Sequence, residues 1–480
     1  MGAPQSGRPK DSEVRGSVLL GAQGTEARSW RLRAWAVDEA GNVSARIGPY
    51  ACVVDPVGLY VDQGAPQGGN GDPAKPFATI EAALAAARGD EVVLRVRSGY
   101  GQTTALAIDR PSLKIVSGAS LAWLWPDTPQ QGIVNFPRAA PGTSAISVGG
   151  ARLGFYGLDA RFGGGEGEAI SIKGGGFEAV DSLISASTSK TLSLIDAASA
   201  KVDLRGVFLK LGGTGGGADL VARDSSVTIS DSDLGATGTT AWLSCLSIKG
   251  GSLRLRASRV GASAGISSVG LSAEAATLSI DRLQLELSGS AGYRRGAIID
   301  SSSGRVVNSH IVSSGPPTTL VELRDAKMSF LFDSFIDSAA PKGSLVFSVR
   351  GALPLLVDDL FLAKGGARLF DSDRPPEKGG IGACAFAGFG PLVTGAVTLG
   401  SVSSLPVFDS TSNKGASIDL GLAPVLRVAP KGGYEVLPGS PIVDAGIPFG
   451  PAETAHDFSG LPRPSAAGNG LPDIGADELR

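Results

Sequence analysis

The chain has few of the residues that build metal centres, disulfide frameworks and catalytic triads. Its 480 residues include only 3 Cys and 2 His. Cys52, Cys245 and Cys384 are far apart and odd in number, so we interpret them as small buried hydrophobic residues. His310 and His456 are too distant in sequence to suggest a catalytic triad or a zinc site. We therefore predict no metal, no cofactor and no identifiable catalytic residue.

Other absences exclude whole classes of partner. The sequence has no run of about 18 apolar residues, so we predict no transmembrane segment. Its 43 basic and 46 acidic residues are well mixed, and without a basic tract there is no electrostatic footprint for nucleic acid. Aromatic residues make up 6% of the chain, so a core must be built from Val, Ile, Leu and Ala. No signal peptide is recognisable at the start.

What the sequence does contain is a short pattern that returns about every 25 residues. It reads apolar, any, apolar, two turn residues, small or apolar, any, apolar. The first positions of the successive units are Leu153, Phe177, Val202, Val227, Leu253, Leu278, Gly304, Met328 and Leu353. A second alternating stretch precedes most units, at 170–172, 192–194, 220–222, 246–248, 271–273, 321–323 and 347–349. Alternation with period two indicates strands, and regular repetition of such units indicates a solenoid.

These observations predict an all-β fold, a right-handed parallel β-helix with about three short strands in each coil of about 25 residues. The 69 Gly and 29 Pro are as expected when every coil needs several tight turns. Disorder is the alternative for a Gly-rich chain, but 42% hydrophobic residues in regular alternation disfavour it.

The sequence divides into four predicted regions. Residues 1–55 read as a partial immunoglobulin-like or fibronectin-like β segment. The segment is called partial because a full sandwich needs about 100 residues, so it is either a fragment of a longer chain or a local hairpin on the solenoid. Residues 56–76 read as a Gly/Pro-rich linker. The β-helix is predicted over 77–435, with an apolar-faced helix at 77–88 capping its open end, and 436–480 as a C-terminal closing segment.

Three stretches resemble known bacterial proteins. The residues 59–62 and 71–83 resemble the opening motif of bacterial secreted right-handed β-helix repeat proteins, which have a pectin-lyase-like fold. The tail over 440–446, 457–464 and 473–478 is similar to the C-terminal segment of the same family, and 34–44 resembles the closing strands of immunoglobulin-like surface modules. The resemblance implies export and an extracellular or cell-surface setting. Some relatives are polysaccharide lyases or hydrolases, so the fold leaves function open.

The outer face of the upstream strand offers little acid–base chemistry. We expect a solvent-facing column of Ser171, Ser193, Val221, Ser247, Ser272, Ile298, Glu322 and Ser348. Five of these eight residues are serines, which provide no general acid or base near neutral pH. Just beyond the same strand, charges recur at Lys173, Arg223, Lys249, Glu274 and Arg324. They indicate either solvated charges that pair across coils or a shallow groove for an anionic glycan or Ca²⁺, although Lys and Arg oppose Ca²⁺.

Two further groups of residues are candidates. Trp123 and Trp125 lie in a predicted protruding loop, where indoles either stack on sugar rings or pack over the N-terminal coils. Asp181, Asp203 and Asp231 fall near the second turn of successive coils and are a weak candidate for a glycosidase pair. The Asp clusters and the Gly-His-Gly motif of pectate lyases and polygalacturonases are missing.

The sequence therefore favours an exported or cell-surface protein with a non-catalytic structural, adhesive or glycan-binding role. A polysaccharide lyase or glycoside hydrolase that acts on an extracellular glycan is the alternative. The expected partner is an extracellular polysaccharide or cell-surface glycan, and we expect a monomer.

Overall fold

The computed structural model describes residues 28–34, 47–54, 58–117, 132–137, 141–238, 242–290, 293–314, 318–337, 344–374, 381–389, 393–395, 418–421, 426–428, 434–446, 456–460, 462–463 and 472–476. The chain forms two compact units, Met1–Val57 and Gly58–Arg480. In the first unit, strands Arg28–Ala34 and Ile47–Val54 pair antiparallel. This pairing fits a local hairpin and a sandwich alike, so the immunoglobulin-like assignment stays a prediction.

The second unit is built from three ladders of parallel strands, which each coil visits in the order I, II, III. Ladder I contains Leu106–Ile108, Thr143–Gly149, Gly167–Lys173, Leu192–Ala198, Gly217–Arg223, Trp242–Lys249, Ser267–Glu274, Tyr293–Asp300, Thr319–Arg324, Leu345–Arg350 and Val393–Gly395. Ladder II contains Leu59–Val61, Glu91–Val96, Ser112–Ser117, Arg152–Tyr156, Gly176–Val180, Lys201–Arg205, Ser226–Ser230, Ser303–Val307, Lys327–Leu331, Leu355–Val357 and Ile381–Gly382.

Ladder III contains Tyr100–Gly101, Gly132–Phe136, Leu158–Phe162, Leu183–Thr188, Phe208–Gly213, Asp233–Thr237, His310–Ser313, Ser334–Asp337, Ala385–Phe389 and Ile418–Gly421. Strands Ser252–Ser263 and Thr277–Ser288 run through both ladder II and ladder III, and Leu360–Ser372 runs from ladder III into ladder I. Outside the ladders, Leu426–Val428 and Tyr434–Val436 form a small antiparallel pair.

The ladder register confirms the predicted parallel β-solenoid. Leu153 pairs with Phe177, which pairs with Val202, and the column continues through Val227 to Leu253. All five side chains are buried in one continuous core. The predicted position of the last unit is wrong by one residue: Ser329 pairs with Leu355, which leaves Leu353 one place before the column. The right-handed winding stays a prediction from the chirality of parallel crossovers.

Short turns of fixed length hold the coils in register. Each connection from ladder I to ladder II between residues 150 and 326 has two residues. The first adopts a positive φ, which favours Gly and which Asp tolerates better than most residues, although Ser and Ala also occupy it. The eight residues are Gly150, Gly174, Ser199, Asp224, Gly250, Ala275, Ser301 and Asp325. The connection from ladder III to ladder I varies more, from three residues after Gly213 to seven after Asp337.

A ladder of side-chain hydrogen bonds follows the turn from ladder II to ladder III. Where the second residue of the turn is Ser or Asp, its side chain accepts the backbone N–H of the equivalent residue one coil earlier. Thus Val207 donates to Ser232 Oγ (3.1 Å), Leu283 to Ser309 Oγ (3.1 Å) and Ser309 to Asp333 Oδ1 (2.7 Å). Because the turn breaks the backbone ladder, these buried side chains satisfy N–H groups that are costly to leave unpaired.

The helix at the N-terminal end is shorter than the predicted 77–88 and spans Ile80–Ala86. Thr79 ends the extended segment because its Oγ1 accepts the N–H of Ala82 at 3.1 Å, and Ala87 is already extended at the other end. Ile80 and Ala83 are buried in the main core, so the helix covers apolar side chains at this end. The predicted start of the β-helix at 77 is too late, since Leu59–Val61, in the predicted linker, already pairs with Leu94–Val96.

The described residues of the C-terminal segment pack on the flank of the solenoid. Ile442 and Ile474 form a buried apolar cluster with Leu360 and Ala385. Arg463 donates to the carbonyl oxygens of Gly475 and Ala476 at 2.8 and 2.6 Å, and the Ala476 N–H donates to Ser334 Oγ at 3.1 Å. No helix in the described ranges has the length and apolar composition needed to span a bilayer.

One carboxyl group lies inside the apolar core. Asp219 is fully buried, and its Oδ1 accepts the N–H of Leu211 at 3.1 Å. Cys245, in the next coil, is also fully buried, and its thiol faces the Gly261 carbonyl oxygen at 3.0 Å. Burial raises the pKa of the Asp219 carboxyl well above its usual range, and it raises that of the Cys245 thiol.

The core column yields a direct test of stability. Leu255→Ala removes a buried side chain from ladder II and is expected to lower the free energy of unfolding by about 2–5 kcal/mol. Arg254→Ala, one residue away on the exposed face, is the matched control and should change it by less than about 0.5 kcal/mol. Urea unfolding followed by circular dichroism measures both. Equal losses for the two variants would contradict the assigned faces.

Asp219 gives a pH-dependent prediction. Because its folded pKa is raised, the native state keeps a proton that the unfolded chain loses above about pH 4, so this contribution to stability is full below that pH and declines as pH rises. Asp219→Asn removes the declining contribution. The urea midpoint of the variant minus that of the wild type should therefore increase from pH 4 to pH 7. Asp224→Asn, in an exposed turn, is the control. The prediction is refuted if the difference in urea midpoint between Asp219→Asn and the wild type stays constant from pH 4 to pH 7.

Candidate functional site

The outer face of ladder I carries two columns of side chains, and the sequence-based register is wrong in one coil. Ser171 pairs with Asp196, and Asp196 pairs with Val221, so Asp196 takes the place predicted for Ser193. Leu194 and Ile195 both face the core, which interrupts the alternation. The column is therefore Ser171, Asp196, Val221, Ser247, Ser272, Ile298, Glu322 and Ser348.

The second column contains Ser144, Glu168, Ser193, Ala218, Ser244, Val269, Arg295 and Thr319. Ser193 thus lies on the same face of ladder I but nearer the start of the strand. Most members of both columns are half-buried, and five are buried: Ser171, Asp196, Ala218, Ser244 and Thr319. The face is a shallow wall of small hydroxyl and aliphatic side chains, with the ionisable members at Glu168, Asp196, Arg295 and Glu322.

The five charged residues singled out from the sequence all fall in one column at the end of the ladder I strands. That column reads Lys173, Ala198, Arg223, Lys249, Glu274, Asp300, Arg324 and Arg350. The charges pair with neighbours: Arg223 Nη2 lies 2.7 Å from Asp196 Oδ1, and Lys249 Nζ lies 2.9 Å from Glu274 Oε1. Arg324 pairs with Glu322 on its own strand. The structure thus brings these residues together as a mixed-charge edge.

A hollow of about 230 Å³ lies on the ladder I face. None of its lining side chains is ionisable. They are Thr191, Ser193, Gly217, Ala218, Val221, Trp242, Leu243, Ser244, Ser247, Ser267, Val269 and Ser272. The hollow spans four successive coils and combines hydroxyl groups from three of them with aliphatic surface and one indole, so this face of the wall is suited to binding more than to proton transfer.

Trp242 is the largest side chain that lines this hollow. Its side chain is 54% exposed, which is unusual for so large an apolar group. It pairs in register with Ser267, which in turn pairs with Tyr293, so the two aromatic residues stand two coils apart, or about 9.6 Å, with only a serine between them. On the other side Gly217 pairs with Leu243, which places Gly216 beside Trp242. Small neighbours on both sides leave the indole accessible.

Tyr293 marks the far side of the same surface. It is 40% exposed, and the Arg295 guanidinium lies 4.1 Å from its ring centroid. Arg295 Nε also donates to Glu322 Oε2 at 2.9 Å. Hydrogen bonds from Arg295 and Arg324 help to hold the pKa of the Glu322 carboxyl below its usual value, although burial opposes this. This arrangement fixes the Tyr293 ring and neutralises Arg295.

A separate polar cluster lies on the outer face of ladder II. The Tyr156 hydroxyl donates to Glu178 Oε2 at 2.8 Å, Glu178 pairs with Arg205, and Arg205 Nε lies 3.3 Å from Asp203 Oδ1. Burial raises the pKa of Tyr156 to about 12, so its hydroxyl stays protonated. Asp203 therefore lies on a strand face and not, as predicted, at the second turn.

Asp181 and Asp231 do occupy the turn from ladder II to ladder III, where each has a positive φ. They stand two coils apart, with Gly206 between them. Their place is thus explained by the backbone conformation, which Asp tolerates better than most residues. The three aspartates predicted as a set do not form one group.

The remaining candidates lie elsewhere. Trp123 and Trp125 fall outside the described residues. His310 is buried against the Phe458 ring, with centroids 4.5 Å apart, which fits a role in docking the C-terminal segment. Within the described ranges, no group of three or more His, Cys, Asp and Glu side chains is placed to hold a metal ion. Cys245 and Cys384 are buried free thiols, as predicted.

Comparison with known proteins gives a fold-level resemblance. No family model matches the chain, and no curated protein matches it. A family 28 exopolygalacturonase from Yersinia enterocolitica aligns over 83% of this chain and 84% of its own, with 11% identity and a TM-score of 0.28. The GH136 lacto-N-biosidase from Eubacterium ramulus aligns over 76% of this chain and 68% of its own, with 8% identity and a TM-score of 0.23. At these scores the assignment of the fold rests on the strand ladders themselves.

Proposed function

We propose that this chain is an exported or cell-surface glycan-binding protein that holds an oligosaccharide on the outer face of ladder I without cleaving it. One observation carries the proposal: the exposed indole of Trp242 lies in a hollow whose other lining groups are hydroxyl and aliphatic. A sugar ring has an apolar face and a polar rim. A flat aromatic ring complements the first, and serine hydroxyls, which both donate and accept, complement the second.

The lining also explains why binding is proposed without cleavage. Hydrolysis or elimination of a glycosidic linkage needs a carboxyl, a basic side chain or a tyrosine within hydrogen-bond reach of the reacting atoms. The hollow offers serine, threonine, glycine, alanine, valine, leucine and tryptophan only. Arg223 and Lys249, at the end of the adjoining strands, are engaged in ion pairs, and the carboxylate of Asp196, which adjoins Val221 in register, accepts hydrogen bonds from Arg223.

Replacement of Trp242 tests the proposal. Trp242→Ala should weaken binding of a captured oligosaccharide by about 2 kcal/mol, or about 30-fold in Kd, because a central aromatic anchor is lost. Phe208→Ala is the matched control, since Phe208 is a comparably exposed aromatic residue (44%) on ladder III. Glycan-array screening followed by calorimetry measures both. Equal affinities for the wild type and Trp242→Ala would place binding elsewhere and contradict the proposal.

The ladder II cluster supports the alternative of a polysaccharide lyase or hydrolase. Tyr156, Glu178, Asp203 and Arg205 bring a phenol, two carboxylates and a guanidinium onto adjacent strands. Cleavage of neutral and acidic polysaccharides, scored by new reducing or unsaturated ends, tests this alternative. We expect no turnover. Turnover that Glu178→Gln abolishes, while circular dichroism and the unfolding midpoint stay unchanged, would establish the enzyme and overturn the non-catalytic proposal.

A further inference from the structure

We infer that the oligosaccharide held by the ladder I hollow is uncharged. This inference rests on the proposed function and adds the chemical class of the ligand. An acidic glycan needs positive charge that is free to pair with it, most effectively from Arg or Lys. The question is therefore whether the cations beside the hollow have charge to offer.

The two cations at the end of the strands that line the hollow, Arg223 and Lys249, are each paired with an acid. Arg223 donates to both carboxylate oxygens of Asp196, at 2.7 and 2.8 Å. Lys249 lies 2.9 Å from Glu274. An incoming carboxylate would compete with Asp196 and Glu274 for these two cations and would lie beside their negative charges. In contrast, a neutral sugar can use the same polar groups as hydrogen-bond donors and acceptors without disturbing them.

The acids around the hollow add a repulsive element. Asp196 lies between Ser171 and Val221 in the first outward column, and its side chain is only 12% exposed. Its carboxylate is therefore part of the wall and binds Arg223 from that side. Glu168 lies one coil below Ser193 in the second column. At the far side Arg295 covers Tyr293 and pairs with Glu322. A polyanion that lay across these coils would meet carboxylates as often as cations.

The register also gives the direction of the ligand. Serine hydroxyls at Ser193, Ser244, Ser247, Ser267 and Ser272 come from three of the four coils that line the hollow, and successive coils are about 4.8 Å apart. Trp242 and Tyr293 stand in one column along the same direction. We therefore expect the sugar units to follow the solenoid axis, across the strands.

The experiment compares two matched ligand panels on the full chain. Cellohexaose, chitohexaose and mannohexaose represent neutral glycans, and hexamers of galacturonate and of guluronate represent acidic ones. Calorimetry at low and high salt should show at least one neutral hexamer bound about tenfold or more tightly than either acidic hexamer, with an affinity that changes less than about twofold with salt. Trp242→Ala should abolish this preference.

A gain-of-binding variant makes the test independent of a loss of folding. Asp196→Asn releases Arg223 and should strengthen binding of the acidic hexamers at least about threefold while leaving the neutral hexamers unchanged. Asp325→Asn removes the same charge from an exposed turn and should have neither effect.

The outcomes separate the two claims. Tighter Trp242-dependent binding of an acidic hexamer would overturn the neutral-ligand inference and leave the glycan-binding proposal intact. Binding of no member of either panel, or binding that Trp242→Ala does not affect, would overturn the proposed function and the inference together. No change in acidic binding with Asp196→Asn would contradict the role given to its ion pair with Arg223.

Discussion

The structure depends on one constraint: each coil must hydrogen-bond to the next in the same register along three ladders. Two-residue turns between ladder I and ladder II maintain that register from residue 150 to residue 326. Because register is fixed, an inward position in one coil lies over an inward position in the next, and Leu153 to Leu253 become a buried column. The same rule aligns outward positions, so Lys173, Arg223, Lys249, Glu274 and Arg324 become one edge. A ligand surface built this way is a consequence of stacking, with spacing set by the backbone.

The sequence was sufficient for the architecture because apolar alternation and stacking reinforce each other over many coils. It failed where a side chain departs from period two. Leu194 and Ile195 both point inward, so Asp196 takes the outward position that was predicted for Ser193. The sequence therefore did not reveal that Asp196 forms an ion pair with Arg223 beside the hollow. Trp242 was missed because its strand was read as 246–248, whereas it begins at Trp242. The strand in fact keeps its register for several residues upstream of 246, and Trp242 and Leu243 are the first of these residues.

Burial of the polar residues was equally hard to foresee. Serine was expected on the solvated face, yet Ser232, Ser258 and Ser309 are buried at turns, where their hydroxyls accept backbone N–H groups of the preceding coil. Asp333 and Asp359 take the same position later, and burial raises the pKa of both carboxyls. Local composition does not distinguish a turn serine that faces solvent from one that completes a hydrogen-bond ladder, because the difference depends on the neighbouring coil.

The motifs that carry the family resemblance are structural in this chain. Gly71, with φ of +87°, lets Leu59 and Phe77 approach its Cα, and Thr79 caps the helix that follows. In the tail, Arg463 ties together backbone carbonyls and stacks on Phe332 at 4.5 Å. The first set covers the N-terminal end of the solenoid, and the second packs on its flank.

The unequal lengths of the connections have an evolutionary consequence. The turn from ladder I to ladder II has two residues in every coil between 150 and 326, whereas the connection from ladder III to ladder I ranges from three residues after Gly213 to seven after Asp337. That second connection enters ladder I directly before Trp242 and Tyr293. Insertions and deletions can therefore accumulate at the rim of the hollow while the scaffold beneath stays unchanged.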